Sequence, residues 1–203
     1  MNTSLIIIDN FYDEPDIIRD LALSSKYYPE KVSKGYPNGN APWSGKMSKD
    51  AYSPSWINTK ISKLLGKNIR QMDHFTNGSF RLSQETNVCG MFDNALHADT
   101  SDSNYYAGVL YLSKNQYTMP GTLFYKHKET GVDRALSPKH LETVVKSKDC
   151  NDLNKWDIHT ASNFIYNRLI IYPASKFHGP GPNFGTSDET ARLVQLFNWI
   201  DIV

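Results

Sequence analysis

The feature that most constrains the fold is a succession of short apolar or aromatic segments after Gly78. Six of them alternate with turn-forming residues, at 79–85, 87–96, 104–112, 121–125, 163–172 and 191–202. Short strands joined by polar turns are typical of sandwiches and jelly-roll barrels, whereas a parallel α/β sheet needs a helix between successive strands. The sequence therefore predicts a mainly β fold of the jelly-roll type.

Two amphipathic helices are expected before these strands. The first begins near Asp13 and Pro15, and the second carries apolar residues at helical spacing from Ile57 and ends at Gly66. We interpret residues 10–70 as a helical support packed on the outside of the sheet, within a single domain spanning 1–203. The polar segment 126–160, with a helix after Ser137, is interpreted as an insertion or lid.

Charge and cysteine content exclude several classes of protein. Lys and Arg number 22 against 21 Asp and Glu, so the net charge of +1 offers no excess of positive charge for nucleic acid. The two cysteines, Cys89 and Cys150, form no CxxC motif, which argues against a disulfide scaffold and for a reducing compartment. No run of eighteen apolar residues occurs. We expect a cytoplasmic protein that binds neither nucleic acid nor membranes.

Three His-x-acid motifs are the first candidates for a metal site. They are His97-Ala98-Asp99, His127-Lys128-Glu129 and His140-Leu141-Glu142. Residues i and i+2 point to the same side on a strand but diverge on a helix. His140 lies in the predicted helix and His127 in a lysine-rich turn that is expected to be solvated. Only His97 and Asp99, at the end of an extended segment, are therefore predicted to chelate one ion.

His178 is the best candidate for a third ligand. It follows the apolar segment 169–173 and precedes a Gly-Pro-Gly-Pro turn. Two imidazoles and one carboxylate form the facial ligand set of non-haem iron(II), which leaves three coordination positions open. The alternative is an ordinary turn histidine beside prolines.

Arg192 opens the last predicted strand, whose two faces are otherwise largely apolar. A guanidinium in such a place needs an anionic partner, and its planar fork suits a carboxylate. The partner is either a ligand or a nearby acid such as Asp188 or Glu189.

Together, His97-x-Asp99, the distal His178 and the following Arg192 resemble the 2-oxoglutarate- and iron(II)-dependent oxygenases of the prolyl-hydroxylase-like group. Segments 105–113, 120–124 and 167–173 are similar, in order, to strands of that family's double-stranded β-helix. The resemblance implies that His97, Asp99 and His178 hold Fe(II) and that Arg192 binds the far carboxylate of 2-oxoglutarate. It also implies that dioxygen is a co-substrate and that a peptidyl side chain or small metabolite is hydroxylated, with release of succinate.

The sequence departs from the family in places. Where some members carry a Tyr for the oxoacid this chain has Leu110, so Tyr106 is predicted as the hydroxyl partner of Arg192, and Leu123 matches a pocket-lining position. Nucleic-acid dealkylases carry a second Arg where this chain has Asn198. Two alternatives stay open: a cupin-like metalloenzyme that does not use 2-oxoglutarate, and a non-catalytic jelly-roll binding module whose three ligands do not converge. The substrate and the oligomeric state are not predicted.

Overall fold

The structure is a computed structural model that describes residues 5–39, 41, 43–87, 96–114, 119–146 and 149–202. Ten strands and three α-helices lie in these ranges. The predicted strand at 87–96 lies almost entirely outside the described residues, as does Cys89.

The larger of two antiparallel sheets contains seven strands. In chain order they are β1 (Ile6–Ile8), β2 (Lys46–Ala51), β3 (Ile69–Gln71), β4 (Ser79–Ser83), β5 (Tyr105–Tyr111), β8 (Leu169–Pro173) and β10 (Arg192–Asp201). Their spatial order is β1-β8-β5-β10-β4-β2, and β3 pairs with the end of β10. The central strands β5 and β8 are almost fully buried, which explains why their sequences are apolar at successive positions.

The smaller sheet has three strands, ordered β7-β6-β9. They are β6 (Pro120–His127), β7 (Trp156–Asn163) and β9 (His178–Pro180). Because residues of both sheets share one buried cluster, the sheets face each other. That inner cluster contains Tyr111, Ile170 and Val194 from the larger sheet and Phe124 from the smaller one.

The first two helices, α1 (Pro15–Ser24) and α2 (Trp56–Leu65), cover the opposite, outer face of the larger sheet. Ile18, Ala22, Ile57 and Ile61 pack there with Tyr106, Leu110, Phe197 and Trp199. Gly66 ends α2 in the left-handed conformation (φ 63°), which glycine adopts without steric cost. The third helix, α3 (Pro138–Lys146), lies between β6 and β7 and is followed by 3-10 turns at Asp149–Asn151 and Leu153–Lys155.

The mainly β expectation is confirmed, with three differences in detail. Residues 10–70 are not purely helical, because β2 and β3 complete one end of the larger sheet. The segment 126–160 includes the first residues of β7, which pair with β6. The predicted strand at 163–172 is two strands, broken by a turn in which Asn167 has φ 62°. Among the described residues, no helix combines the length and the apolar character needed to cross a membrane.

Candidate metal centre

His97, Asp99 and His178 converge at one end of the space between the sheets. One ligand atom from each lies within 4.8 Å of the other two. His97 Nε2 is 3.4 Å from Asp99 Oδ1, and His178 Nε2 is 3.9 Å from Asp99 Oδ2. The sequence prediction that these three side chains share one site therefore agrees with their positions.

Backbone hydrogen bonds hold the three residues in place. The amide of His97 donates to the carbonyl of His178 at 3.0 Å, and the amide of His178 donates back at 2.8 Å. The amide of Asp99 donates to Ala174 at 2.9 Å, immediately after β8. These bonds fix the short extended segment 97–99 against the approach to β9, so residues i and i+2 point to the same side, as on a strand.

His178 has its ring orientation set by the chain. Its Nδ1 lies 2.9 Å from the carbonyl oxygen of Lys176. Since a carbonyl only accepts, Nδ1 carries the proton and Nε2 presents a lone pair toward Asp99. Burial, with a smaller contribution from the neighbouring His97, lowers the pKa of His178 to about 4, so its imidazole is neutral at pH 7.

Asp99 is ionised beside this neutral imidazole. Desolvation alone would raise the pKa of Asp99, but its interactions with His178 and its hydrogen bond with His97 outweigh desolvation, so the pKa lies below its ordinary value. A carboxylate and a neutral imidazole are the protonation states that a divalent cation requires of its ligands.

The donor set fits a divalent transition-metal ion. Bonds of about 2.1 Å from one ion to nitrogen and oxygen ligands place neighbouring ligand atoms roughly 3 Å apart. The three ligand atoms lie within 4.8 Å of one another, so they must draw closer together to share one ion. Two imidazoles and one carboxylate suit iron(II) and leave coordination positions for other molecules.

Arg192 lies on the inner face of the larger sheet, in the same cavity as the three side chains. It is buried, and its Nη2 donates to the carbonyl of Gly121 at 2.9 Å, while its guanidinium lies 5.5 Å from the centroid of the Phe164 ring. Its Nε is buried and has no hydrogen-bond partner within the described part of the chain. Burial lowers the pKa of Arg192 to about 10, so the group stays charged at neutral pH.

The acids considered as partners of Arg192 interact elsewhere. Asp188 accepts from Lys46 at 2.6 Å and from Gln84 at 2.9 Å, and the carboxylate of Glu189 is hydrogen-bonded to Ser187. Arg192 therefore presents a buried positive charge to the cavity with no carboxylate partner among the described residues. Such a charge is costly unless an anion joins it.

Tyr106, predicted as the hydroxyl partner of Arg192, borders the cavity, but it packs in the cluster on the outer face of β5. It is paired with Trp199, Leu110 is paired with Gln195, and both pack in the outer cluster under the helices. The Tyr106 ring lies 5.4 Å from Lys67 Nζ. The neighbouring Tyr111 is paired with Val194, two residues beyond Arg192 on the same face. Because side chains alternate along a strand, Tyr111 and not Tyr106 faces the arginine.

Leu123 likewise points away from the cavity. It packs with Tyr125 and Phe177 in a third cluster, behind the smaller sheet. The adjacent Thr122 lines the cavity instead, and its hydroxyl lies 2.9 Å from the hydroxyl of Tyr111. Tyr111 also bonds to Ser162. Three hydroxyl groups, from Tyr111, Thr122 and Ser162, therefore form a buried cluster on the Arg192 side of the site.

Tyr172 lies beside the metal ligands, a position that the sequence did not indicate. Its ring centroid lies 4.8 Å from that of His178, and it lines the cavity that also contains Asp99 and Arg192. Burial raises the pKa of Tyr172 well above its ordinary value, so the phenol remains neutral.

The other histidines lie outside the triad. His140 is on α3, as predicted. His127 was expected to be solvated, and this was wrong: it is buried against Trp156, its Nδ1 lies 3.0 Å from Thr130 Oγ1, and its Nε2 is 3.5 Å from Asp149. His74 lines the cavity and His159 lies exposed on β7. Among the described residues, only His97, Asp99 and His178 form a potential metal-binding group.

The cavity has a volume of about 410 Å³ and lies between the two sheets. The triad and Arg192 share it with three aromatic residues from loops, Tyr36, Trp43 and Phe75. The sequence carries no sign of these three residues as cavity lining, because an aromatic residue in an irregular loop has no periodic pattern that would indicate a cavity.

Comparisons with known proteins give one sequence family and a set of solved structures. A model of a family of unknown function (DUF6445) matches residues 1–183. No curated protein matches the sequence. The iron-bound crystal structure of HygX from Streptomyces hygroscopicus is similar, with 13% identity and a TM-score of 0.49 over 98% of this chain and 83% of that one. HygX with nickel, 2-oxoglutarate and hygromycin B bound has 12% identity and a TM-score of 0.46, over 98% and 84%.

Proposed function

Because the chain belongs to a family whose own function is unknown, DUF6445, we propose its function from the candidate metal centre. The protein is an iron(II)- and 2-oxoglutarate-dependent oxygenase that hydroxylates a substrate held in the cavity. Its fold is assigned to the double-stranded β-helix, a closed form of two facing antiparallel sheets. The observation that carries the proposal is that a two-imidazole, one-carboxylate site shares one cavity with a buried arginine that has no carboxylate partner among the described residues.

His97, Asp99 and His178 would hold iron(II). When bound, the metal supplies the redox chemistry in which dioxygen, 2-oxoglutarate and a substrate C–H group give succinate, carbon dioxide and a C–OH group. The chain's own part is to position the substrate and to shield the reacting atoms from water. His178 keeps its proton on Nδ1 because Lys176 accepts it, which leaves Nε2 available as a ligand.

Arg192 would bind the far carboxylate of 2-oxoglutarate. Its Nε is the donor that lacks a partner, and a bidentate carboxylate satisfies Nε and a terminal nitrogen together. The hydroxyl of Tyr111 lies on the same face and can donate to the same carboxylate. Low polarity around the arginine, including the Phe164 ring, strengthens this attraction because little water competes with it.

The experiment that tests the proposal measures binding and product together. We expect the protein loaded with iron(II) without oxygen to bind 2-oxoglutarate by calorimetry, and to form succinate when oxygen is admitted. The Asp99→Ala variant should do neither. Metal binding without binding of 2-oxoglutarate would instead support the cupin-like alternative. Absence of metal binding would support the non-catalytic module, against which the convergence of the three side chains argues.

A further inference from the structure

One wall of the cavity is built from three aromatic side chains that belong to none of the buried core clusters. Tyr36 and Trp43 come from the loop before β2, and Phe75 comes from the turn before β4. The Trp43 and Phe75 rings are nearly parallel, with centroids 6.1 Å apart, and Tyr36 meets Trp43 edge-on at 5.1 Å. We call these three residues the aromatic wall.

The loops are shaped to bring the wall together. A Cβ atom on Gly35 would lie 2.7 Å from the Phe75 ring, so only glycine allows this close approach of the first loop. Trp43 and Phe75 stack on each other, so the pair does not leave the space that a cage around a cation needs. Aromatic rings favour offset-stacked or edge-on contact with another planar ring.

The charges of the cavity lining favour an anionic ligand. Besides the triad, its charged or titratable lining groups among the described residues are His74, Arg81, Arg192 and tyrosines. Asp99 is the one carboxylate in this described lining, and in the proposed function it binds the metal. No acid in the described lining is therefore left to receive a substrate cation.

A second cavity, of about 260 Å³, adjoins the first and is also lined by more basic than acidic residues. It shares Met47, Met72, His74 and Phe75 with the first, so the two lie on either side of the Phe75 turn. Lys34 and Lys49 line it, opposed within the described lining by Asp73. The surroundings of the aromatic wall are thus more basic than acidic.

We propose that the prime substrate is a small organic anion with a planar aromatic ring, which stacks on the aromatic wall. This inference rests on the proposed function for the assignment of Asp99 to the metal and for the reacting end of the cavity. The volume of about 410 Å³ lies within the usual range for small-molecule sites and has room for such a ring beside 2-oxoglutarate. The charges of the described lining favour an anionic over a polycationic substrate.

The test uses three probes of similar size: 3-phenylpropanoate, the cation phenethylamine, and 3-cyclohexylpropanoate, which is anionic but not planar. Their affinities are measured by saturation-transfer NMR on the full chain with 2-oxoglutarate in excess, so that Arg192 is occupied. We expect 3-phenylpropanoate to bind about tenfold more tightly than either of the others. Trp43→Leu should weaken it about tenfold, as expected for loss of an aromatic contact.

The matched control is Trp56→Leu, because Trp56 is on α2, packs on Phe11 and lies outside the cavity. It should leave the affinity for 3-phenylpropanoate unchanged. If Trp43→Leu does not fold, Phe75→Leu tests the same wall. Equal affinities for the three probes, no binding of 3-phenylpropanoate, or an unchanged affinity in the wall variant would overturn the inference.

Manganese(II) binding, measured by electron paramagnetic resonance on the same samples, separates this inference from the proposed function. If manganese and 2-oxoglutarate bind but the aromatic probe does not, the substrate inference fails alone. If the probe binds through Trp43 while manganese does not bind, the proposed function fails and the aromatic site stands.

Discussion

His97 and His178 are joined backbone to backbone, each donating its amide proton to the carbonyl oxygen of the other, at 3.0 and 2.8 Å. Their rings lie 4.4 Å apart between centroids. Because the main chain and not the side chains makes this link, either imidazole can be removed without breaking the frame that holds the other. The two histidines can therefore be tested by substitution with little effect on the fold.

The first prediction concerns metal-dependent stability. Manganese(II) should raise the melting temperature of the metal-free protein, by the equivalent of about 2.7 kcal/mol at a hundredfold excess over Kd. His97→Ala should abolish this rise because it removes one of three ligands and keeps the backbone link. Differential scanning calorimetry with and without the ion measures the effect. His159→Ala is the matched control and should keep the rise, since His159 is exposed on β7. An unchanged rise in His97→Ala would place the metal elsewhere.

The second prediction concerns Arg192. Arg192→Met keeps the length of the side chain but removes the charge, so the affinity for 2-oxoglutarate should fall by at least about a hundredfold. Arg192→Lys, which keeps the charge and loses the planar fork, should fall between the wild type and Arg192→Met. Manganese affinity should be unchanged in both, because the three ligands lie outside β10. Calorimetric titration of each variant with both ligands tests this, and unchanged oxoacid binding would contradict the assignment.

The third prediction is a pH dependence of stability that arises from Asp133. Lys176 is buried and its Nζ lies 2.7 Å from Asp133 Oδ2, while Arg134 bonds to the same carboxylate. Desolvation opposes ionisation of Asp133, but these two cations outweigh it and lower its pKa from 3.8 to about 2. The folded state therefore gains about 1–2 kcal/mol that is complete above pH 4 and is lost as the pH falls through 2.

Asp133→Asn should reduce the fall in the free energy of unfolding at acid pH, as measured by urea unfolding between pH 2 and pH 6. At pH 7 it should cost about 3 kcal/mol, because Lys176 is left buried without its partner. Asp157→Asn is the control, since the exposed Asp157 lies 3.7 Å from Lys128 and such a surface pair contributes little. The same fall in the free energy of unfolding at acid pH in the wild type and in Asp133→Asn would contradict the prediction.

The fourth prediction concerns the segment 126–160. Its ends are anchored, because Ala135 and Trp156 are buried and the carbonyl of Asp133 accepts from Phe177. The intervening helix α3 packs mainly on the 3-10 turn that follows it. We expect slow amide exchange at the anchored ends, faster exchange in α3, and slower exchange in α3 when metal and substrate bind. Mass-spectrometric hydrogen exchange measures this, and a protected α3 in the metal-free protein would make the segment a fixed structural element.

Alternation along a strand allowed parts of the site to be read from the sequence. His97 and Asp99 are two residues apart on an extended segment, so they share a side wherever that segment lies. The same rule placed Arg192 and Val194 on one face of β10, as the structure has them. These are consequences of backbone geometry over two residues, which needs no knowledge of the rest of the chain.

Tertiary structure alone decided which tyrosine of β5 faces Arg192. Strand β5 is buried on both faces, so its sequence does not distinguish the face under the helices from the face on the cavity. The register against β10 makes the choice, placing Tyr106 opposite Trp199 and Tyr111 opposite Val194. A shift of one residue in that register would exchange the two tyrosines.

The positions of loop residues are even harder to predict from the sequence. Nothing periodic in the sequence joins Trp43 to Phe75, and their approach depends on how β2 and β4 pair and on the space that Gly35 leaves. The sequence by itself determined the strand-rich fold, the chelating pair and the face of Arg192, because these follow from local backbone geometry. Tertiary structure decided which hydroxyl groups lie near Arg192 and which aromatic residues form the wall of the cavity, because contacts between distant segments depend on strand register and loop path.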